Sequence, residues 1–149
     1  VAEGKQPTGA EVIIAIDPGQ EKCGLALLRF TGEVVFQDVV ARHRLAEEVR
    51  RLHQAHHPRV IVVGDRTGAR EVVPLLEELH LATPVQLVDE HRSSEEGRRR
   101  YFAANPPRGW RRLLPRGLLT PGRPHDDYVA IILGERYLEA DRAQECGAR

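Results

Sequence analysis

The chain has 149 residues, 41% of them hydrophobic, and its Lys and Arg (22) balance its Asp and Glu (22). That is enough chain for one domain with a sizeable core, and it argues against a disordered or fibrous protein. No apolar run approaches the ~20 residues of a membrane-spanning helix. Two distant cysteines, Cys23 and Cys146, suggest neither a disulfide framework nor a zinc site, so a cytoplasmic location is expected.

Residues 1–10 are small and polar, show no signal-peptide pattern, and read as a flexible arm before a domain over 11–140. Val12–Asp17 is a β-branched run and reads as a first strand. Gly24–Phe30 is a second and Glu33–Val40 a third, the last two joined by a Thr31-Gly32-Glu33 hairpin turn. Arg44–His57 has helical spacing at Leu45, Val49 and Leu52, and Pro58 ends it. Arg59–Gly64 is apolar after its first residue, as in a strand buried on both faces of a parallel sheet. Arg70–His80 reads as a helix, Val85–Val88 as a fifth strand and Ser93 to about Ala104 as a third helix. Asn105-Pro106-Pro107 stops it. Arg108–Pro124, rich in Pro, Gly and Arg, reads as a long functional loop. Asp126–Leu138 is the last apolar helix, and a polar tail closes the chain over 141–149. The order predicts an α/β domain: a five-stranded mixed sheet, three antiparallel strands and then alternating α and β, with helices on both faces.

Three sets of acids fall at element ends. Asp17 closes the first strand, Glu90 follows the fifth, and Asp126 and Asp127 open the last helix. Each alone reads equally as a turn or cap residue. Together, at ends the topology brings near one another, they repel. At ~4 Å and an effective dielectric of ~20, each pair costs about 4 kcal/mol unless a proton or cation intervenes. An all-oxygen set favours Mg²⁺ or Mn²⁺, and two such ions can activate water and neutralise a scissile phosphate. The acids are therefore candidates for both metal binding and catalysis.

The neutral total hides a basic segment. Arg92, Arg98, Arg99, Arg100, Arg108, Arg111, Arg112, Arg116 and Arg123 face only Glu95 and Glu96 between them. This is either a docking surface for a polyanion such as nucleic acid or a solvated, arginine-rich face.

The stretches IDPGQEKCG, VDEHRSS and RPHDDYVAIILGERYL resemble, in this order, the motifs of the YqgF/RuvX family of Holliday-junction-resolvase-like proteins, within the ribonuclease H-like superfamily. The resemblance runs from about Val12 to Leu138. It implies a ribonuclease H-like fold and metal-dependent cleavage of nucleic acid, with Asp17, Glu90 and either Asp126 or Asp127 as metal ligands. Counting back from Tyr137-Leu138 favours Asp126, whereas a D-x-x-A pattern ending at Ala130 favours Asp127. The associated roles are maturation of the 16S ribosomal RNA precursor and resolution of branched DNA. The family's basic residue after the DxG glycine is here Glu21 followed by Lys22. Its GLP-type turn is here Gly64-Asp65-Arg66-Thr67, and His91 intervenes before Arg92.

Candidate substrate contacts are Lys22, Arg66, Thr67, Arg92, Ser93, Arg111, Arg112 and Arg123. Lys22 is either a phosphate contact or a solvent-facing turn residue. Arg66, Thr67 and Ser93 precede helices and either meet phosphate or simply cap. His125 adjoins Asp126, and Trp110 either stacks on a base or anchors its loop. His53, His56 and His57 read as a solvated helix face, and Tyr128 and Tyr137 as packing residues. The partner expected is RNA, or single-stranded or branched DNA. A junction substrate would require two coordinated sites and hence a homodimer. A binding module that grips RNA without cutting it is the main rival, and an actin-like phosphotransferase is the remote one.

Overall fold

The run VIIAID forms β1 (Val12–Asp17), which pairs antiparallel with β2 (Lys22–Arg29), and β2 pairs antiparallel with β3 (Val34–Ala41). After α1 (Arg42–His56), β4 (Ile61–Gly64) lies parallel to β1 on its other side; after α2 (Ala69–Glu77), β5 (Val85–Val88) lies parallel to β4. Then come α3 (Ser93–Ala104) and α4 (Asp126–Gly147). The computed structural model describes residues 11–66, 68–91, 93–106, 109, 113 and 126–147. The sheet order is β3-β2-β1-β4-β5.

Side chains alternate across a strand, so a continuous apolar run serves two cores. Ile14, Ile16, Leu25, Leu27, Ile61 and Val63 face α1 and α2, which bury Leu45, Val49, Leu52, Val72 and Leu76 against them. Ile13, Ala15, Ala26, Leu28, Val60 and Val62 face the other way, onto Ala130, Ile131 and Leu138 of α4. The expected mixed sheet with helices on both faces is therefore the observed one.

Element ends differ in instructive ways. α2 stops at Glu77 because the next turn tightens: the Leu79 and His80 amides donate to Leu76 and Glu77, three residues back, and His80 turns to a positive φ of 50°. The polar stretch expected as a tail instead prolongs α4 to Gly147. Its Ala, Glu, Arg and Gln residues are good helix formers, and Arg142 donates to the Phe30 carbonyl at 2.7 Å. Among the described residues no helix is long and apolar enough to cross a membrane.

Candidate metal and nucleic-acid site

Because β1, β4 and β5 are parallel, their C-terminal ends share one edge of the sheet, the usual place for a site in such folds. Asp17 ends β1, Gly64 ends β4, and Glu90 stands just beyond β5. The start of α4 reaches the same edge through Gly24, which pairs with Asp17. A Cβ at Gly24 would run into the Asp126 carbonyl, so only glycine lets α4 approach this closely. Gly64 plays the same part for Glu90, whose carboxylate lies where a Cβ would be.

Asp17 and Glu90 form the heart of the site. Glu90 is 4% exposed. Its Oε2 accepts the Arg66 backbone N–H at 3.2 Å, with the Arg66 side chain 4.0 Å away, while Oε1 is buried without a hydrogen-bond partner among the described residues. Burial pushes the Asp17 carboxyl up to about 9; hydrogen bonding to Glu90 and the charges of Glu90 and Asp126 add to this, and Arg66 opposes it. Two carboxyl groups this close need something positive between them, either a shared proton or a cation. Nearby, Cys23 is fully buried and also raised, first by burial, with Asp17 and Asp126 contributing.

The two candidate acids of α4 differ in setting. Asp126 is half-buried, and its charge reaches Asp17. Asp127 is 2% exposed and engages β3: its Oδ2 accepts from Gln37 Nε2 at 2.9 Å and its Oδ1 from the Tyr128 amide at 3.0 Å. Among the described residues no group of three or more His, Cys, Asp or Glu side chains converges closely enough to hold a metal. The four acids expected as one cluster are thus a close pair, a third acid within electrostatic reach, and a fourth bound to Gln37.

Lys22 opens β2 and is exposed. Arg66 is exposed and leads into a groove of about 700 Å³ between α2 and β5, lined by Arg66, Arg70, Val73, Pro74 and Leu87 among others. Ser93 faces inward: it is 2% exposed, and its hydroxyl donates to the Glu90 carbonyl at 2.7 Å. Thr67, Arg92, Trp110, Arg111, Arg112, Arg123 and His125 lie outside the described residues.

Several contributors were not singled out from sequence. Asp65 Oδ1 accepts the Glu90 amide at 3.2 Å. Gln37 binds Asp127, and Arg136 on α4 donates to the carbonyls of Asp89 and His91. Gly64 had a readable signal, since a glycine closing an apolar strand often marks a close approach. Gln37 and Arg136 had none, because their partners lie far away in sequence.

A sheet of this order and direction, with helices on both faces, is a ribonuclease H-like fold. No family model matches the sequence, and no curated protein does. Solved structures do. T. thermophilus RuvC in complex with a Holliday junction substrate matches with a TM-score of 0.56 and 16% identity, over 91% of this chain and 96% of that one. A second structure of Thermus thermophilus RuvC matches with a TM-score of 0.56 and 15% identity, over 90% and 96%. At such identity the likeness is one of fold.

Proposed function

We propose that the chain is a divalent-metal-dependent nuclease that hydrolyses phosphodiester bonds of nucleic acid. The observation that carries this reading is the pairing of half-buried Asp17 with buried Glu90, whose Oε1 has no hydrogen-bond partner among the described residues. The donor set is all oxygen and the surroundings disfavour bare negative charge, so the pair suits Mg²⁺ or Mn²⁺. Asp17 and Glu90 would hold the ion or ions, and Asp126, whose charge reaches Asp17, would have to close in to serve as a third ligand. When bound, such ions polarise the scissile phosphate and make water a better nucleophile.

The remaining roles belong to the chain. The Arg66 amide orients Glu90, while the exposed Arg66 and Arg70 side chains flank the groove beside it and suit backbone phosphates. In the reaction, water attacks phosphorus opposite the 3′ oxygen. The P–O3′ bond breaks, leaving a 5′ phosphate and a 3′ oxyanion that takes up a proton to become the 3′ hydroxyl, while the attacking water gives up one.

The motif order of the YqgF/RuvX family supports processing of precursor 16S ribosomal RNA as the cellular role. The likeness in fold to a RuvC solved on a Holliday junction favours a second reading, cleavage of branched DNA by a homodimer. The test compares wild type with Asp17→Asn on single-stranded RNA, single-stranded DNA, duplexes and four-way junctions, with Mn²⁺ and with chelator. Cleavage should require both Asp17 and the metal. Cleavage that survives either removal would refute the mechanism, and tight binding without any cleavage would favour the binding module. Paired, symmetric cuts on a junction would select the DNA reading.

A further inference from the structure

Glu90 sits in the short turn between β5 and α3, and one side chain from another element takes the carbonyls on both sides of it. Arg136 of α4 donates from Nη1 to the Asp89 carbonyl at 2.8 Å and from Nη2 to the His91 carbonyl at 2.7 Å. A planar guanidinium can span two oxygens in this way; a lysine ammonium is a single point of charge on a flexible stem. The fork is itself braced. Arg136 lies 3.6 Å from Glu96 of α3, Glu96 lies 3.7 Å from Arg100, and Arg100 grips Glu135 of α4 through bonds of 2.9 and 2.6 Å.

The Glu90 backbone has other supports. Its N–H donates to Asp65, and its carbonyl accepts from the amide and hydroxyl of Ser93. Those supports come from the β4 end and from α3. Arg136 comes from the helix that Asp126 opens, about 15 Å back along its axis. It therefore links two acids that the chain supplies from separate elements.

We propose that Arg136 is a positioning residue for the cation site: by holding the carbonyls either side of Glu90, it sets where that carboxylate stands relative to Asp17 and the start of α4. The proposal rests on the reading of Asp17 and Glu90 as acids that hold a cation. Arg136 acts through Glu90 and not by touching the cation or the nucleic acid.

The experiment uses the full chain as wild type, Arg136→Gln, Arg136→Lys and, as a control, Arg142→Gln. The control removes a comparable bond from α4 to a loop carbonyl far from Glu90. Two readouts are taken: hydrogen exchange at the Glu90 and Ser93 amides in chelator, and Mn²⁺ affinity from the spin-resonance signal of free Mn²⁺. Arg136→Gln should speed exchange at both amides at least tenfold and weaken Mn²⁺ binding by about 10–100-fold, the range for residues that orient metal ligands. Arg136→Lys, which retains the charge beside Glu96, should fall between, and it carries the test if the glutamine variant does not fold. Arg142→Gln should leave both readouts at wild-type values. With nucleic acid present, the Arg136 variants should lose kcat with KM little changed, and excess Mn²⁺ should recover part of the loss.

Faster exchange with unchanged Mn²⁺ affinity would make Arg136 merely structural and overturn the proposal. Equal loss of affinity in Arg142→Gln would do the same. A wild type that binds no Mn²⁺ would overturn the cation reading and this proposal with it. Wild type and Arg136→Gln binding Mn²⁺ alike would overturn this proposal alone.

Discussion

Replacing Asp17 with asparagine should stabilise the metal-free protein while abolishing its response to metal. The sign follows from the raised carboxyl. Asp17 titrates near 9 in the folded protein, against an ordinary value of 3.8. Between those values the folded form holds a proton that the unfolded chain has released. Stability is thus fully present below about pH 4 and falls as pH rises towards 9, by at most about 1.4 kcal/mol per unit. At pH 7 the ceiling is a little over 4 kcal/mol, and water at the partly open mouth of the site reduces it to roughly 2–4 kcal/mol. An amide in place of the carboxyl carries no charge and offers Glu90 a donor, so it escapes this cost. For a domain of this size the gain corresponds to about 5–15 °C in Tm. The assay is thermal and urea unfolding in chelator at pH 5, 7 and 8.5. The variant should gain on wild type as pH rises, and the two should approach each other at pH 5. Mn²⁺ added at pH 8.5 should raise the Tm of wild type and barely move the variant. Equal pH slopes in both proteins, or a variant less stable at every pH, would refute the argument.

Much of the fold was legible because burial leaves a strong trace. VIIAID, GLALL and VIVVG are short apolar runs bounded by turn residues, which reads as buried strands, and Leu45, Val49 and Leu52 recur at helical spacing. β1, β5 and α3 begin and end where the sequence suggests. Less legible were ends decided by tertiary contacts. The polar 141–147 stretch carries no apolar stripe, yet it remains helical and reaches Phe30 through Arg142. The acids were visible as acids at element ends, but their division of labour was not. Nothing in the sequence Asp126-Asp127 says which residue meets Gln37, because that depends on how α4 rotates as it packs over Gly24. Likewise Ser93, which reads as a possible phosphate contact, spends its hydroxyl on the Glu90 carbonyl.

Three further variants probe the parts of the site separately. Arg66→Ala combined with Arg70→Ala should weaken nucleic-acid binding and lower the dependence of log K on log salt by about two contacts' worth, roughly 1.8 units on duplex DNA; an unchanged slope would remove the groove from the binding surface. Gln37→Leu should cost about 1–3 kcal/mol in urea melts, because it deprives the buried Asp127 carboxylate of its amide donor; no loss would mean that Asp127 finds another partner or takes a proton. Gly64→Ala is the most discriminating of the three. The added methyl would occupy the place of the Glu90 carboxylate, and the nearest atoms are Oε1, Cδ and Cγ of that side chain. Glu90 has little room to retreat: it is 4% exposed, and its own amide and carbonyl are bonded to Asp65 and Ser93. Either the strand end shifts, at a typical overpacking cost of about 1–3 kcal/mol, or the carboxylate swings away from Asp17. The two responses separate experimentally. If Glu90 swings away, the charge on Asp17 is relieved, the fall in metal-free stability with rising pH flattens, and Mn²⁺ affinity drops. If the strand shifts, stability falls at every pH and the slope persists. The Glu90 carboxylate is bonded to the Arg66 amide and to Asp17, but Gly64 is fixed by its pairing with Val88 and β4 by its pairing with β1, so the first response is expected. An alanine variant with wild-type Mn²⁺ affinity and an unchanged pH slope would show that Gly64 does not shape the acid pair.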